Sequence, residues 1–151
     1  MRISAKVDYA MRASLELAAA GGDPIKGEAI ADAQGIPLKF LENILGELKH
    51  TGIVASRRGA QGGYWLAKDA GEVSLADIVR AVEGPLASVR GQGPESLAYR
   101  GEAVQLQTVW IALRANIRAV MEDTSLADVI GEELPSPIRE LSEPAEAWSR
   151  R

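Results

Sequence analysis

Apolar residues recur through the N-terminal half of the chain at helical spacing. Ile3, Val7, Met11, Leu15 and Ala18 fall three or four positions apart. This predicts a first helix capped by Ser4 and stopped at Gly21-Gly22-Asp23-Pro24. A shorter helix is predicted over 27–34, with Ala29, Ile30 and Ala33 inward. Gly35-Ile36-Pro37 is a tight connection, and Pro37 suits the opening of a third helix running to about residue 50. That helix carries Leu38, Leu41, Leu45 and Leu48 as an apolar stripe with Ile44 beside it. Lys39, Glu42, Asn43, Gly46 and His50 fall on its other face. The period then shortens. Strands are predicted over 53–56 and 63–66, flanking Arg57-Arg58-Gly59-Ala60-Gln61-Gly62, which reads as a two-stranded ribbon with a basic, glycine-rich tip.

Ser74 is placed to cap a fourth helix holding Leu75, Ile78, Val79 and Val82, ended by Gly84-Pro85. Residues 85–101 have no sustained period and read as a loop. A long helix is predicted over 102–122. Leu106, Val109, Trp110, Leu113, Ile117, Val120 and Met121 line one side of it at near-heptad spacing. Ser125-Leu126-Ala127-Asp128 repeats Ser74-Leu75-Ala76-Asp77, one N-cap solution used twice. The chain thus divides into a winged-helix unit (1–84), a loop (85–101), the long helix with a short one (102–133) and a tail (134–151). The tail holds Pro135, Pro137 and Pro144 and is expected to be mobile.

Composition removes several chemistries. The 151 residues include no cysteine and one histidine. Disulfides, thiolate zinc sites, cysteine nucleophiles and all-cysteine iron–sulfur clusters are excluded. His50 alone supports neither a histidine metal site nor a Ser-His-Asp relay, so no enzyme, metal or cofactor is expected. No apolar run approaches the roughly 20 residues of a membrane span. Met1-Arg2-Ile3-Ser4-Ala5-Lys6 lacks an export signature, and the expectation is a cytoplasmic protein that does not engage membranes. The formal net charge is −4, but it is uneven. Residues 1–68 hold 9 Lys and Arg against 7 Asp and Glu, and residues 69–151 hold 8 against 14. An N-terminal unit able to meet phosphates is therefore followed by one that is not.

Three helices followed by a ribbon make a mainly α, winged helix-turn-helix fold with a two-stranded wing. Such a helix offers its polar face to base edges in the major groove of double-stranded DNA. Here that face is Lys39, Glu42 and Asn43, and these residue types suit guanine or phosphate, cytosine and adenine in turn. Arg57 and Arg58 at the ribbon tip suit a narrow minor groove. The competing reading is a winged helix used for protein contact, motivated by the acidic net charge and by Trp65 beside Tyr64.

These motifs carry a resemblance. Tyr9-Ala10-Met11-Arg12-Ala13, Gln34-Gly35-Ile36-Pro37, Phe40-Leu41-Glu42, the wing 58–66 and Ser74-Leu75-Ala76-Asp77-Ile78-Val79 together resemble the Rrf2 family of transcription regulators. That group contains the iron–sulfur cluster regulator and the nitric-oxide-sensing repressor. The resemblance implies a homodimeric repressor or activator on a palindromic operator, its long helix pairing with the partner's through the 106–121 stripe; a repressor is the expectation for this chain. Lys39, Phe40, Glu42 and Asn43 match its recognition-helix contacts. Ser56 and Arg58 match its wing contacts, with Arg57 and Gln61 beside them, and Ser4 and Lys6 match backbone-contacting positions. Cluster-binding members carry three cysteines in the segment matching 85–101, and this chain has none, so a protein without a cluster is expected. Asp8 matches a position that supplies a non-cysteine ligand in some members. By position, Asp8, Arg90, Tyr99 and Trp110 are the expected lining of a pocket for an unknown small-molecule effector.

Overall fold

Ser4 begins the first helix by accepting a hydrogen bond from the Val7 amide at 3.1 Å. The computed structural model describes residues 2–149. Helix α1 (Ala5–Ala19) buries Val7, Ala10, Ala13 and Leu17. Helix α2 (Gly27–Gln34) ends at Gly35, whose φ of 61° is the left-handed conformation glycine adopts without strain. This sharp stop turns the chain into α3 (Leu38–His50), which buries Leu41, Ile44, Leu45 and Leu48. Strands β1 (Val54–Arg57) and β2 (Gly63–Leu66) pair antiparallel, with Val54 opposite Leu66 and Arg57 opposite Gly63. β1 lies one residue later than the apolar pattern implied. Ile53 is instead held at the end of α3, its amide donating to the Leu48 carbonyl at 3.0 Å.

Helix α4 (Leu75–Glu83) closes the helical side of the unit against α1 and α3. After residues 85–101 the chain enters α5 (Leu106–Met121), which starts later than expected because Gly101–Ala103 forms a separate 3-10 turn. Helix α6 (Leu126–Ile130) then returns to the N-terminal unit. α4 and α6 both open with a Ser-to-Asp capping box. Their entry points pair as a short antiparallel bridge. The Leu75 amide donates to the Thr124 carbonyl and the Leu126 amide to the Val73 carbonyl, both at 2.9 Å. Leu126 is fully buried in the same cluster as α1 and α3. The hydrophobic core therefore runs across the division expected between 1–84 and 102–133. The capping motif that repeats in the sequence is also a contact in space.

Residues 134–149 carry local structure that their proline content did not suggest. Helix α7 (Ser136–Ser142) starts with Pro at its first turn, and a 3-10 turn over Ala145–Trp148 folds back on it. The Trp148 indole N–H donates to the Ser142 carbonyl at 2.6 Å, yet the side chain is 80% exposed.

In α1, Ser14 is buried among these apolar residues, and its hydroxyl has no hydrogen-bond partner among the described residues. A buried unpaired hydroxyl costs roughly 1–3 kcal/mol. Leu126→Ala is therefore expected to cost about 3 kcal/mol of stability in urea unfolding, whereas Ser14→Ala is expected to raise stability by about 1 kcal/mol.

Candidate nucleic-acid interface

One face of α3 is buried, so its other face must be presented. Lys39, Glu42 and Asn43 are all exposed there, as is Phe40 at 60%. Glu42, Asn43, Gly46 and His50 form one wall of an open groove of about 500 Å³ that reaches Ala81 of α4. The orientation of α3 is braced from below. The Lys6 ammonium donates to the Val82 carbonyl at 2.7 Å and pairs with Glu47 of α3 at 2.8 Å. The Ser4 hydroxyl donates to the Glu83 carboxylate. Ser4 and Lys6, expected at DNA phosphates, thus tie the start of α1 to α3 and α4. The Lys6–Glu47 pair is partly exposed and contributes at most about 1 kcal/mol.

The ribbon is placed by a close backbone approach. The Ile25 amide donates to the Tyr64 carbonyl at 2.9 Å, and the Tyr64 amide donates back to Ile25 at 2.8 Å. Gly63, with φ of 153°, permits this contact, because a Cβ there would lie 2.6 Å from the Ile25 carbonyl oxygen. A Cβ on Gly62 would collide with the Arg57 carbonyl. These glycines serve backbone packing.

The two wing arginines differ. Arg57 is exposed but engaged by the hairpin, its Nε–H donating to the Gln61 carbonyl at 3.2 Å and its guanidinium 6.0 Å from the Trp65 ring centre. Arg58 is exposed and makes no hydrogen bond or ion pair among the described residues. Gln61 is exposed beside it, and Ser56 is half-buried on β1. A second groove of about 390 Å³ runs between wing and helices, lined by Lys26, Glu28, Glu42, Lys49, Ser56 and Arg58 among others. Glu42 borders both grooves, so α3 and the wing form one surface. Sequence reasoning missed Lys26 and Lys49. Lys49 was within reach, since it lies seven residues after Glu42 on the same side of α3. Lys26 carried no local signal, because its place depends on the Ile25–Tyr64 bridge.

Of the residues expected to line an effector pocket, two are in direct contact. Trp110 donates its indole N–H to the Tyr99 hydroxyl at 3.1 Å. Asp8 pairs instead with Arg12 at 2.9 Å. Arg90 is exposed at a tight turn, with φ of 53° between the bridged Val89 and Gln92. The 85–101 segment is fastened to α5 by polar side chains. Arg114 pairs with Glu95, and the Gln107 amide donates to the Pro94 carbonyl at 3.2 Å. The Glu95 backbone amide and Arg114 together hold that carboxyl below the usual glutamate range. The Ser125 hydroxyl and amide lower the Asp128 carboxyl in the same way. On the side of α5 away from Gln107, Val109 is 54% exposed and Leu113 is exposed, Leu106, Trp110, Ile117, Val120 and Met121 are half-buried, and no residue of the helix is fully buried.

Comparisons with known proteins agree with this geometry. The model of the Rrf2 family, described as iron-dependent transcriptional regulators, matches residues 3–132. A chain of Mycobacterium tuberculosis, Rv1287, which bears the name of an HTH-type transcriptional regulator, is 49% identical over 95% of this chain and 89% of its own length. The HTH-type transcriptional regulator IscR of Serratia proteamaculans is 34% identical over 86% of this chain and 79% of its own. Among solved structures, the global cysteine regulator CymR of B. subtilis superposes with a TM-score of 0.72 at 30% identity, covering 85% of this chain and 95% of that one. T. potens IscR gives 0.69 at 29% identity over 98% and 95%. The iron in the family's description finds no matching donors here. The chain has no thiolate to offer, its one histidine ends α3, and no cluster of three potential ligands exists among the described residues.

The wing geometry makes a differential prediction. Gly63→Ala is expected to cost about 2–3 kcal/mol in urea unfolding, from the clash with Ile25 added to a disfavoured φ. Gly59→Ala, where the backbone φ is 103° but the space is open, is expected to cost about 1 kcal/mol.

Proposed function

The chain belongs to the Rrf2 family of DNA-binding transcriptional regulators, and from that premise we propose that it is a sequence-specific repressor that binds a palindromic operator as a homodimer without an iron–sulfur cluster. One observation carries this reading. Glu42 and Asn43 of α3 and Arg58 of the wing border two adjoining grooves that share Glu42, and the exposed Lys39 lies one turn before Asn43 on α3. A recognition helix and a cationic wing so arranged can enter adjacent grooves of one duplex. In this reading Lys39, Phe40, Glu42, Asn43, Ser56, Arg58 and Gln61 meet DNA. Arg57 keeps the hairpin in shape, and Ser4 and Lys6 act behind the interface by fixing α3.

Two winged helices are joined, in this reading, through the apolar stripe of α5, in which Val109 and Leu113 are exposed and the other residues half-buried. Leu106, Val109, Trp110, Leu113, Ile117, Val120 and Met121 supply the seam, with Trp110 also fixed to Tyr99. A 16-residue helix, about 24 Å long by the standard rise, that buries no residue of its own within the protomer is supported as a self-pairing surface by the near-heptad spacing. Repression follows from occupancy: a dimer seated on its operator competes for that duplex. The alternative reading, a winged helix for protein contact, is motivated by the acidic net charge and by Trp65 beside Tyr64; Trp65 is half-buried with the Arg57 guanidinium 6.0 Å from its ring centre.

Selection of a duplex from a random library by the wild-type protein tests the reading. The enriched sequence is expected to be an inverted repeat, with affinity falling steeply as salt rises. Arg58→Ala is expected to weaken binding about tenfold and to flatten the salt dependence. Glu42→Ala is expected to relax preference at one base position of each half-site by about 1–3 kcal/mol. Binding that ignores sequence and salt would remove the proposal. Leu113→Glu is expected to convert the dimer to monomers in sedimentation and to abolish operator binding while the far-ultraviolet circular dichroism stays near wild type. A protein monomeric before the substitution would refute the dimer.

A further inference from the structure

We propose that Lys26 is the positioning residue of the wing: its ammonium tethers the ribbon tip to the start of α2 and so fixes the angle at which Arg58 approaches DNA. The Lys26 Nζ donates to the Gly59 carbonyl at 2.6 Å, across 33 residues of sequence. Gly59 immediately follows Arg58 and accepts a second hydrogen bond, from the Gly62 amide at 3.0 Å. Lys26 therefore grips the turn at the carbonyl that organises it.

Two features place Lys26 for this role. It directly follows Ile25, whose paired hydrogen bonds to Tyr64 seat the base of the ribbon. The base and the tip are thus held by adjacent residues of one short strap. Lys26 also occupies the N-cap position of α2 without a side-chain cap, so its side chain is free to point away from the helix. Ser, Thr, Asp or Asn would cap the helix better. The chain forgoes that contribution, and the lysine stem reaches the wing instead. An exposed hydrogen bond of this kind adds little to global stability. Its consequence is orientation, because a ribbon fixed only at its base swings at its tip.

This inference rests on the DNA-binding reading above, and salt dependence separates it from its nearest rival. A lysine that neutralises a phosphate releases a counterion, and removing it lowers the slope of log K against log salt by about 0.9. A lysine that only holds the wing leaves that slope nearly unchanged. The probe is the duplex enriched by the wild-type protein. Lys26→Met, which keeps the stem and removes the donor, is expected to lower affinity about fivefold with the slope within about 0.3 of wild type, and Lys26→Arg is expected to restore most of the affinity. A second measurement needs no DNA. Amide hydrogen exchange over 59–63 is expected to quicken about tenfold in Lys26→Met, while the amides of α1 and α3 keep their protection. A slope lowered by about 0.9, or unaltered exchange in the wing, overturns the tether. If the wild-type protein enriches no duplex, the DNA reading falls, and the exchange result alone then decides whether Lys26 holds the wing.

Discussion

The burial of one face of α3 is the constraint on which the rest of the molecule depends. Leu41, Ile44, Leu45 and Leu48 are all essentially inaccessible to water. A helix rotates as a rigid body, so fixing these four fixes everything opposite them. Lys39, Glu42 and Asn43 face outward because no rotation keeps the leucines buried and hides the polar side. α1 supplies the buried partner surface, and its first turn supplies a second restraint through Lys6 and Glu47. Specificity for a duplex is built on rigidity of this kind, since a base-reading side chain is useful only when its origin is fixed.

The wing solves a different problem. Two four-residue strands are too short to be stable alone, and this ribbon borrows order from the segment before α2. The Ile25–Tyr64 hydrogen bonds make Ile25 a third, one-residue strand. The approach is possible only where β2 has no side chain, and that is why Gly63 stands there. Within the tip, Arg57 is drawn back over Trp65 while Arg58 is left outside. Both arginines are exposed, but Arg57, the last residue of β1, is engaged by the Gln61 carbonyl, whereas Arg58 is left free for another partner. Most of the excess carboxylates lie after residue 68, and several are committed locally, as Glu95 is to Arg114.

The C-terminal third links the winged unit to a surface the protomer does not cover. α5 is fastened on one side by Gln107, Trp110 and Arg114, spaced so that all three reach residues 94–99. Its apolar side stays open. Past α5 the chain turns back, and Leu126 fills the core beside α1. The helix that would carry a partner is therefore held to the 94–99 segment along its first turns and to the winged unit at its C-terminal end, where Glu122 pairs with Arg80 and Leu126 enters the core. Thiolate chemistry has no place in this linkage. Polar side chains hold the 85–101 segment to α5.

Much of this was legible along the chain. The stripe and polar face of α3, the serine caps of α1, α4 and α6, the two ribbon strands and the basic tip all follow from neighbours one to four residues apart. Interactions at that range are set by backbone geometry, so sequence spacing is enough to state them. That the chain offers no thiolate is likewise read directly from the sequence. What tertiary structure decided lies at long separation: Lys6 with Val82, Ser4 with Glu83, Lys26 with Gly59, Ile25 with Tyr64, and the meeting of the two Ser-Leu-Ala-Asp motifs. No periodicity encodes such pairs, because each exists only after hydrophobic burial has brought whole elements together. Lys6 shows the difference most clearly. As a residue near a helix start it reads as a phosphate ligand, and only the packing of α1 against α3 and α4 turns it inward as a brace.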